Sequence, residues 1–337
     1  MNRLSLSAWP TALQPAPRLG AAIGAPDLLV KRDDLSGTIY GGNKVRKLEY
    51  LLADALARGC DAVLTYGATG SNHALATAIC ARQAGLKCYC VLVDQVQTPW
   101  VANTLRWHAL TGTTLAPAAD FGGVKAAAEA LRNGHPGGSD RVCEIPWGGS
   151  SPLGSQGFVA AADELLAELA TIAPGRPIRV YLPCGTMGSA AGLLAGFARA
   201  GADATVVGVK VVPQHVDAAA VGQATAAILA LLPDGQIAAR EIASRLEFRS
   251  EFAGSEYAVP TPGGIEALAL ARELQDLELD TTYSGKALAC LIDDARQHRL
   301  AGALPVFWHT WNSRPYPEEL SEVDTSRLPA AFGESFG

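Results

Sequence analysis

An α/β architecture in two parts, built on doubly wound sheets, is the fold class this sequence predicts. Short apolar runs alternate with amphipathic helical patterns through both halves of the chain, the rhythm of parallel βαβ units. Glycines close several of the helical patterns, at Gly59, Gly85 and Gly112. Two strand-to-helix junctions, 65–73 and 183–193, interleave glycine with hydroxyl side chains, as ligand-holding turns of such sheets do.

The elements follow in order. The first thirty residues are Pro-rich and read as irregular, ending in an apolar strand candidate at 27–31. A helical pattern covers 46–58, a short buried strand 61–65, a helix 72–84, a strand 86–93 and a helix 100–110. From 120 to 150 the pattern loosens. Residues 126–131 read as helix, and the Gly/Pro-rich passage NGHPGGSD and the loop EIPWGGSSPLGSQG follow. An Ala/Leu/Glu helix spans 158–169. The second half restarts with a strand at 178–182, the turn PCGTMGSAAG and a helix at 193–199. A strand at 205–212, helices at 217–231, 265–274 and 286–299, and a last apolar strand at 305–308 complete it.

Bulk properties narrow the function classes. With 337 residues, 49% hydrophobic and 18% charged, the chain has the composition of a globular protein with a substantial core. A net charge of -6 without a basic run argues against a nucleic-acid partner. No apolar stretch reaches the length of a membrane span, and the N-terminus lacks a continuous apolar signal region. The seven cysteines show no framework spacing, and Cys88 and Cys90 have no further ligands nearby. They read as reduced buried thiols with no metal site, and the expected compartment is the cytoplasm.

Four stretches could carry chemistry. LSGTIYGGNKVRKLEY places Lys44 at a Gly-rich loop-to-helix junction, where a lowered ammonium pKa would free a nucleophile; a solvated surface lysine is the plain alternative. In PCGTMGSAAGL, backbone amides with the hydroxyls of Thr186 and Ser189 can converge on a phosphate at a helix N-terminus. It is neither a Walker A loop nor a dinucleotide fingerprint. In TYGATGSNH, Ser71 and Asn72 fall where they could cap a helix or hold a substrate carboxylate, and His73 reads as structural or functional. TYSGK and EYAVPTPGG each present a tyrosine, Tyr283 and Tyr257, either tethered in a core or carrying a proton.

Taken together these segments resemble the fold-type II pyridoxal-phosphate (PLP) enzymes, in particular the group of 1-aminocyclopropane-1-carboxylate (ACC) deaminases and D-cysteine desulfhydrases. VKRDDLSG, GGNKVRKLEYLLA, SNH, PLG, GTMGSAAGL and YSGKALA lie in the family's order from Val30 to about Thr310. The resemblance implies a tryptophan synthase β-like fold of open, twisted, mostly parallel sheets flanked by helices. Its large domain would comprise 1–54 and 163–337, and its small domain 55–162. It implies a homodimer acting on a small amino acid.

Residue by residue, it implies that Lys44 carries the cofactor as a Schiff base and then acts as base at Cα. Asn43 and Asn72 would flank the cofactor ring. Gly185, Thr186, Met187, Gly188 and Ser189 would wrap its phosphate. Ser71 and Asn72 would hold the substrate carboxylate, with His73, Trp147 and Thr310 beside the substrate. Tyr257 and Tyr283 match the family's two active-site tyrosines, Tyr283 being the better candidate for proton transfer. Ser284 matches the position facing the ring nitrogen, where deaminases carry glutamate and desulfhydrases a hydroxyl. Thr310 stands where deaminases have leucine. Both markers favour β-elimination to pyruvate and ammonia, because a leaving group that takes the electrons needs only a weak sink.

Three departures bear on the substrate. Gly70 replaces a glutamine of the family, Trp311 and Asn312 replace two glycines, and Trp147 adds bulk. ACC deaminase, a sulfo-lyase acting on cysteate, and a divergent lyase or racemase are the neighbouring alternatives. A phosphate-binding protein without catalysis and a Rossmann dehydrogenase stand further off.

Overall fold

The computed structural model describes residues 2–98, 100–212, 216–300 and 302–336. Its elements in chain order are β1 (Leu13–Pro15), α1 (Pro17–Ile23), β2 (Leu29–Lys31), α2 (Lys44–Ala57), β3 (Ala62–Ala68), α3 (Asn72–Gln83) and β4 (Lys87–Val93). Then come α4 (Val101–Thr111), β5 (Thr114–Ala118), α5 (Phe121–Asn133), β6 (Val142–Glu144), α6 (Gln156–Ile172), β7 (Ile178–Cys184) and α7 (Gly188–Arg199). The last seven are β8 (Ala204–Lys210), α8 (Ala218–Leu229), α9 (Ala239–Ser244), β9 (Leu246–Arg249), α10 (Pro262–Gln275), α11 (Ser284–Arg296) and β10 (Leu304–Trp308).

The strands form two sheets, ordered β1-β2-β10-β7-β8-β9 and β5-β4-β3-β6. Every pairing is parallel except the edge pair β1–β2. The central strands are apolar on both faces because helices cover both. Val180, Tyr181 and Leu182 of β7 and Val206, Val207 and Val209 of β8 are all fully buried.

Each sheet reverses its strand order once. In the larger sheet β7 runs on to β8 and β9, and β10 then returns on the other side of β7. In the smaller, β3 runs on to β4 and β5, and β6 returns beside β3. The crevice beyond the C-terminal ends at such a reversal is where open α/β sheets bind ligands. The residues after β7, β10, β3 and β6 all line one cleft of about 680 Å³.

Helix α2 is wedged between the two units. Leu48, Leu51, Leu52 and Ala55 join the core around the four-stranded sheet, together with Leu320 and Phe332 of the C-terminal tail. On its other side Arg46 donates to Asp33 (2.7 Å) and Glu164 (2.9 Å), and Trp308 Nε1 donates to the same Asp33 (2.7 Å). That buried cluster anchors the start of α2 to β10 and α6. An unpaired charge there would be costly, so the geometry is strongly specified.

Several expectations are corrected. The Pro-rich start is not wholly irregular: Leu13–Pro15 pairs with β2, and Pro17 opens α1, where a missing N–H costs nothing. The helix expected at 126–131 extends over the whole of α5, capped by Asp120 on Gly123 N (2.9 Å), and the loose stretch after it holds the short strand β6. The strand at 114–118 escaped notice because Pro117 interrupts its pattern on an edge. Helix α7 begins at Gly188, five residues before the expected start. The thiols are not all reduced, because Cys60 and Cys143 form a disulfide with a Cα–Cα distance of 5.9 Å. They sit at the paired starts of β3 and β6. Cys80, Cys88, Cys90, Cys184 and Cys290 are free and buried.

Candidate active site

Lys44 is the first residue of α2, and the loop before it is held from two directions. Gly41 donates its N–H to Asn312 Oδ1 (2.6 Å) and Asn43 N donates to Thr310 O (3.1 Å). A Cβ on Gly41 would lie 1.9 Å from the carbonyl oxygen of Asp34, so only glycine fits. The lysine is thus fixed on the cleft wall. Burial lowers its pKa from the ordinary 10.5 to about 8, with Asp280 opposing. About a tenth is then free amine at pH 7, far more than for an ordinary lysine, and that is the form that attacks a carbonyl.

Opposite lies an anion cradle. Met187 adopts a left-handed backbone (φ 65°) at the mouth of α7, which brings the amides of the loop round to the helix N-terminus. Ser150 Oγ meets Thr186 Oγ1 (2.8 Å) and Gly188 N (3.3 Å). Asn43 Nδ2 donates to Ser189 Oγ (3.0 Å). A cation completes the set that the sequence reading missed. Lys47 Nζ reaches Gly148 O (3.1 Å) and Ser150 Oγ (3.0 Å), and a Cβ on Gly188 would sit 2.8 Å from it. The available signal was spacing, since Lys47 lies three residues beyond Lys44 and so on the same helical face. Burial, then the Lys44 charge, push its pKa well down, a penalty that a dianion in the cradle would relieve. Amides at a helix start, three hydroxyls and a buried ammonium fit a phosphate monoester, and the adjacent amine of Lys44 fits an aldehyde. The residues present therefore fit pyridoxal phosphate.

The remaining candidates fall around this axis. Ser71 caps α3, accepting from Ala74 N (3.2 Å), which leaves its own proton for another acceptor. Asn72 Oδ1 accepts from Tyr40 OH (3.0 Å), so its amide N–H groups are free to donate. His73 pairs with Thr65 Oγ1 (2.9 Å); burial and the two lysines push its pKa well down, so it stays neutral. Tyr257 and Tyr283 hydroxyls meet at 2.6 Å. Burial raises Tyr257 to about 12 and Tyr283 well above its usual value, leaving two neutral phenols that can share and pass a proton. Asn43, Lys44, Ser71, Asn72, His73, Trp147, the loop from Gly185 to Ser189, Tyr257, Tyr283 and Thr310 all line the cleft.

Ser284 is different. It is fully buried behind Tyr283, and its hydroxyl donates to the Asp280 carboxylate and accepts from Asp280 N (2.9 Å). Asp280, also missed by sequence reasoning, takes the amides of Thr282 (3.1 Å), Tyr283 (2.9 Å) and Ser284 (2.8 Å) and so ties down the turn that leads into α11.

The departures resolve unevenly. Gly70 N donates to Gln95 Oε1 (3.0 Å), and the Gln95 amide fills the space a side chain at Gly70 would occupy. Asn312 is buried and holds the Lys44 loop through Gly41, while Trp311 lines the cleft and packs on Trp100, with centroids 4.9 Å apart.

Comparison with known proteins bears on this arrangement. Residues 4–310 match the family model described as "Pyridoxal-phosphate dependent enzyme". The nocardicin C-9' epimerase of Nocardia uniformis subsp. tsuyamanensis is 35% identical over 95% of this chain and 98% of its own length. The D-cysteine desulfhydrase of Salmonella typhi is 33% identical over 91% of this chain and 93% of its own. A crystal structure of an ACC deaminase homologue superposes with a TM-score of 0.74 at 29% identity, covering 96% of both chains.

Proposed function

This chain belongs to the pyridoxal-phosphate dependent enzymes, and from that premise we propose that it is a lyase resembling the D-cysteine desulfhydrases, eliminating a β-substituent from an amino acid. The observation that carries the reading is the pairing, across one cleft, of a lysine with a pKa of about 8 and two neutral phenols 2.6 Å apart. Bound in the cradle, the cofactor supplies an electron sink for the pair released at Cα.

The chain's own residues do the rest. Ser71 Oγ and the Asn72 amide hold the substrate carboxylate at the N-terminus of α3, where the helix dipole favours an anion. Lys44 takes the Cα proton, and its lowered pKa makes it a competent base near neutrality. Tyr283, hydrogen-bonded to Tyr257, delivers a proton to the departing group, and Tyr257 holds its hydroxyl in place. Lys47, Thr186 and Ser189 hold the phosphate, and Asn43 orients Ser189. The rest of the reading is a small domain of 55–162 set against a large domain of 1–54 and 163–337, in a cytoplasmic homodimer. Sedimentation of the loaded protein tests the last point. No helix among the described residues is long and apolar enough to cross a membrane.

Pyruvate release from D-cysteine by the cofactor-loaded protein, with ACC in parallel, tests the reaction. Pyruvate from D-cysteine alone supports β-elimination. A second reading, epimerisation at Cα, is favoured by the epimerase relative, which covers more of this chain than the desulfhydrase does. Exchange of the Cα proton with deuterated solvent, without pyruvate, would select it.

A further inference from the structure

The cleft continues beyond the groups that hold a carboxylate and Cα, and toward its mouth the chemistry changes. Tyr66 and Trp147 stack with centroids 5.6 Å apart and planes at 17°, and Phe121 tilts onto Trp147 at 5.4 Å. All three rings line the cleft. Phe121 opens α5 and is 62% exposed, so its ring is spent on the cleft mouth and not on the core. Tyr66 is itself 7% exposed and packs in the core between the four-stranded sheet and α5, which holds the ring in place. From the side of the six-stranded sheet, Met187 and Val216 line the same cleft. Aromatic rings that share a cleft with a polarisable thioether and an aliphatic side chain match an aromatic guest.

Charge points the same way. Among the described lining residues the lysine ammonium groups are those of Lys44 and Lys47, and Lys47 is already bonded to Gly148 O and Ser150 Oγ. Asp94 and Glu256 line it as carboxylates. A second anionic group on the substrate, such as the sulfonate of cysteate, would meet repulsion there and find no partner.

Building on the proposed reaction, we infer that the substrate carries an uncharged aromatic group beyond Cβ, received by Tyr66, Phe121 and Trp147. For a thioether substrate the balance is simple. The Cα proton passes to Lys44, the Cβ–S bond breaks with its electron pair on sulfur, and the thiolate takes a proton. The remaining enamine adds water and yields pyruvate and ammonia.

The test titrates the cofactor-loaded protein with each enantiomer of S-benzylcysteine, cysteine and cysteate, following the visible absorption band for affinity and pyruvate for turnover. The S-benzyl ligand is expected to bind at least about tenfold more tightly than cysteine, with cysteate weakest. In Phe121→Ala and in Trp147→Leu that ratio should fall to about threefold or less. Phe121 is exposed, so its variant keeps the fold. A ratio unchanged in both variants, or cysteine or cysteate bound as tightly as the benzyl ligand, overturns the inference. Tight benzyl binding that depends on Phe121, with no pyruvate from any compound, would uphold the substrate class while rejecting elimination.

Discussion

Where the six-stranded sheet reverses its strand order, the chain turns through Gly185, Thr186 and Gly188; where the four-stranded sheet reverses, it turns through Ser71, Asn72 and, after β6, Trp147. The first reversal offers amides, hydroxyls and a cation, the groups that grip a phosphate whatever the substrate. The second offers the Ser71 hydroxyl and Asn72 amide, the proposed carboxylate clamp, on one face of its sheet and three aromatic rings on the other. Alternation along β3 produces that split. Thr65 and Gly67 face α3, while Tyr66 faces α5. On the proposed reading one side of the cleft is generic to the cofactor and the other is free to set the substrate, with Lys44, on the helix wedged between them, serving both.

Removing that shared residue should give the largest effect. Lys44→Ala is expected to abolish the visible band of the reconstituted protein as seen in wild type and to cut turnover by at least about 10³-fold. An unaltered band would reject the assignment of Lys44. The same residue is costly to the fold. Its folded pKa of about 8 lies below the ordinary 10.5, so between these values the unfolded chain binds the extra proton. Stability of the cofactor-free protein should thus rise with pH across that window, and below it the buried ammonium exerts its full penalty. Lys44→Met should stabilise the cofactor-free protein by about 2–3 kcal/mol at pH 7, and denaturant unfolding would measure it.

On the cradle side, Lys47→Ala should weaken cofactor binding by about 10–100-fold, since it removes a charge-assisted contact in a buried setting. Cofactor affinity by equilibrium dialysis measures this. The ratio of benzyl to cysteine affinity should stay put, because Lys47 lies in the cradle beside Gly148 and Ser150. A parallel fall in both quantities would mean that the two sides are not separable. Next to the tyrosines, Asp280→Asn should cost about 1–3 kcal/mol by weakening the bonds to the amides of the turn into α11 and to the Ser284 hydroxyl.

The cradle side was the more legible in sequence, and the reason is physical. A turn that must place amides around an anion needs particular residues in consecutive order, so GTMGSAAG advertises itself. Lys47 was hidden because its role depends on helical phase, and Asp280 because its partners are backbone amides. The aromatic wall draws Tyr66, Phe121 and Trp147 from three separate elements, and only the pairing of β3 with β6 and the position of α5 bring them together. Of the three only Trp147 stood out in the sequence. Tertiary context overrode local pattern at Pro117, whose edge strand was missed, and at the glycines that open α5 and α7, whose helices were expected only from 126 and 193. The disulfide depends on register too, since Val63 of β3 pairs with Cys143, bringing the latter near Cys60.

Gly70 gives the smallest and sharpest test of the comparison, because in sequence it reads as a lost polar side chain on the substrate side. In the structure Gln95, from the end of β4, brings an amide back to the same place and accepts from Gly70 N. If the two positions substitute for one another, their mutations must be non-additive. Gln95→Ala should cost about 0.5–1.5 kcal/mol, the worth of one partly buried hydrogen bond. Gly70→Gln should cost less than about 1 kcal/mol, because the new Cβ meets only the flexible end of Gln95, at 3.0 Å. The double variant Gly70→Gln/Gln95→Ala should fall below the sum of the two, with a coupling of at least about 0.5 kcal/mol by thermal unfolding. Strict additivity would mean that Gln95 merely rests beside Gly70, and the gap at residue 70 would then be a true loss from the substrate wall.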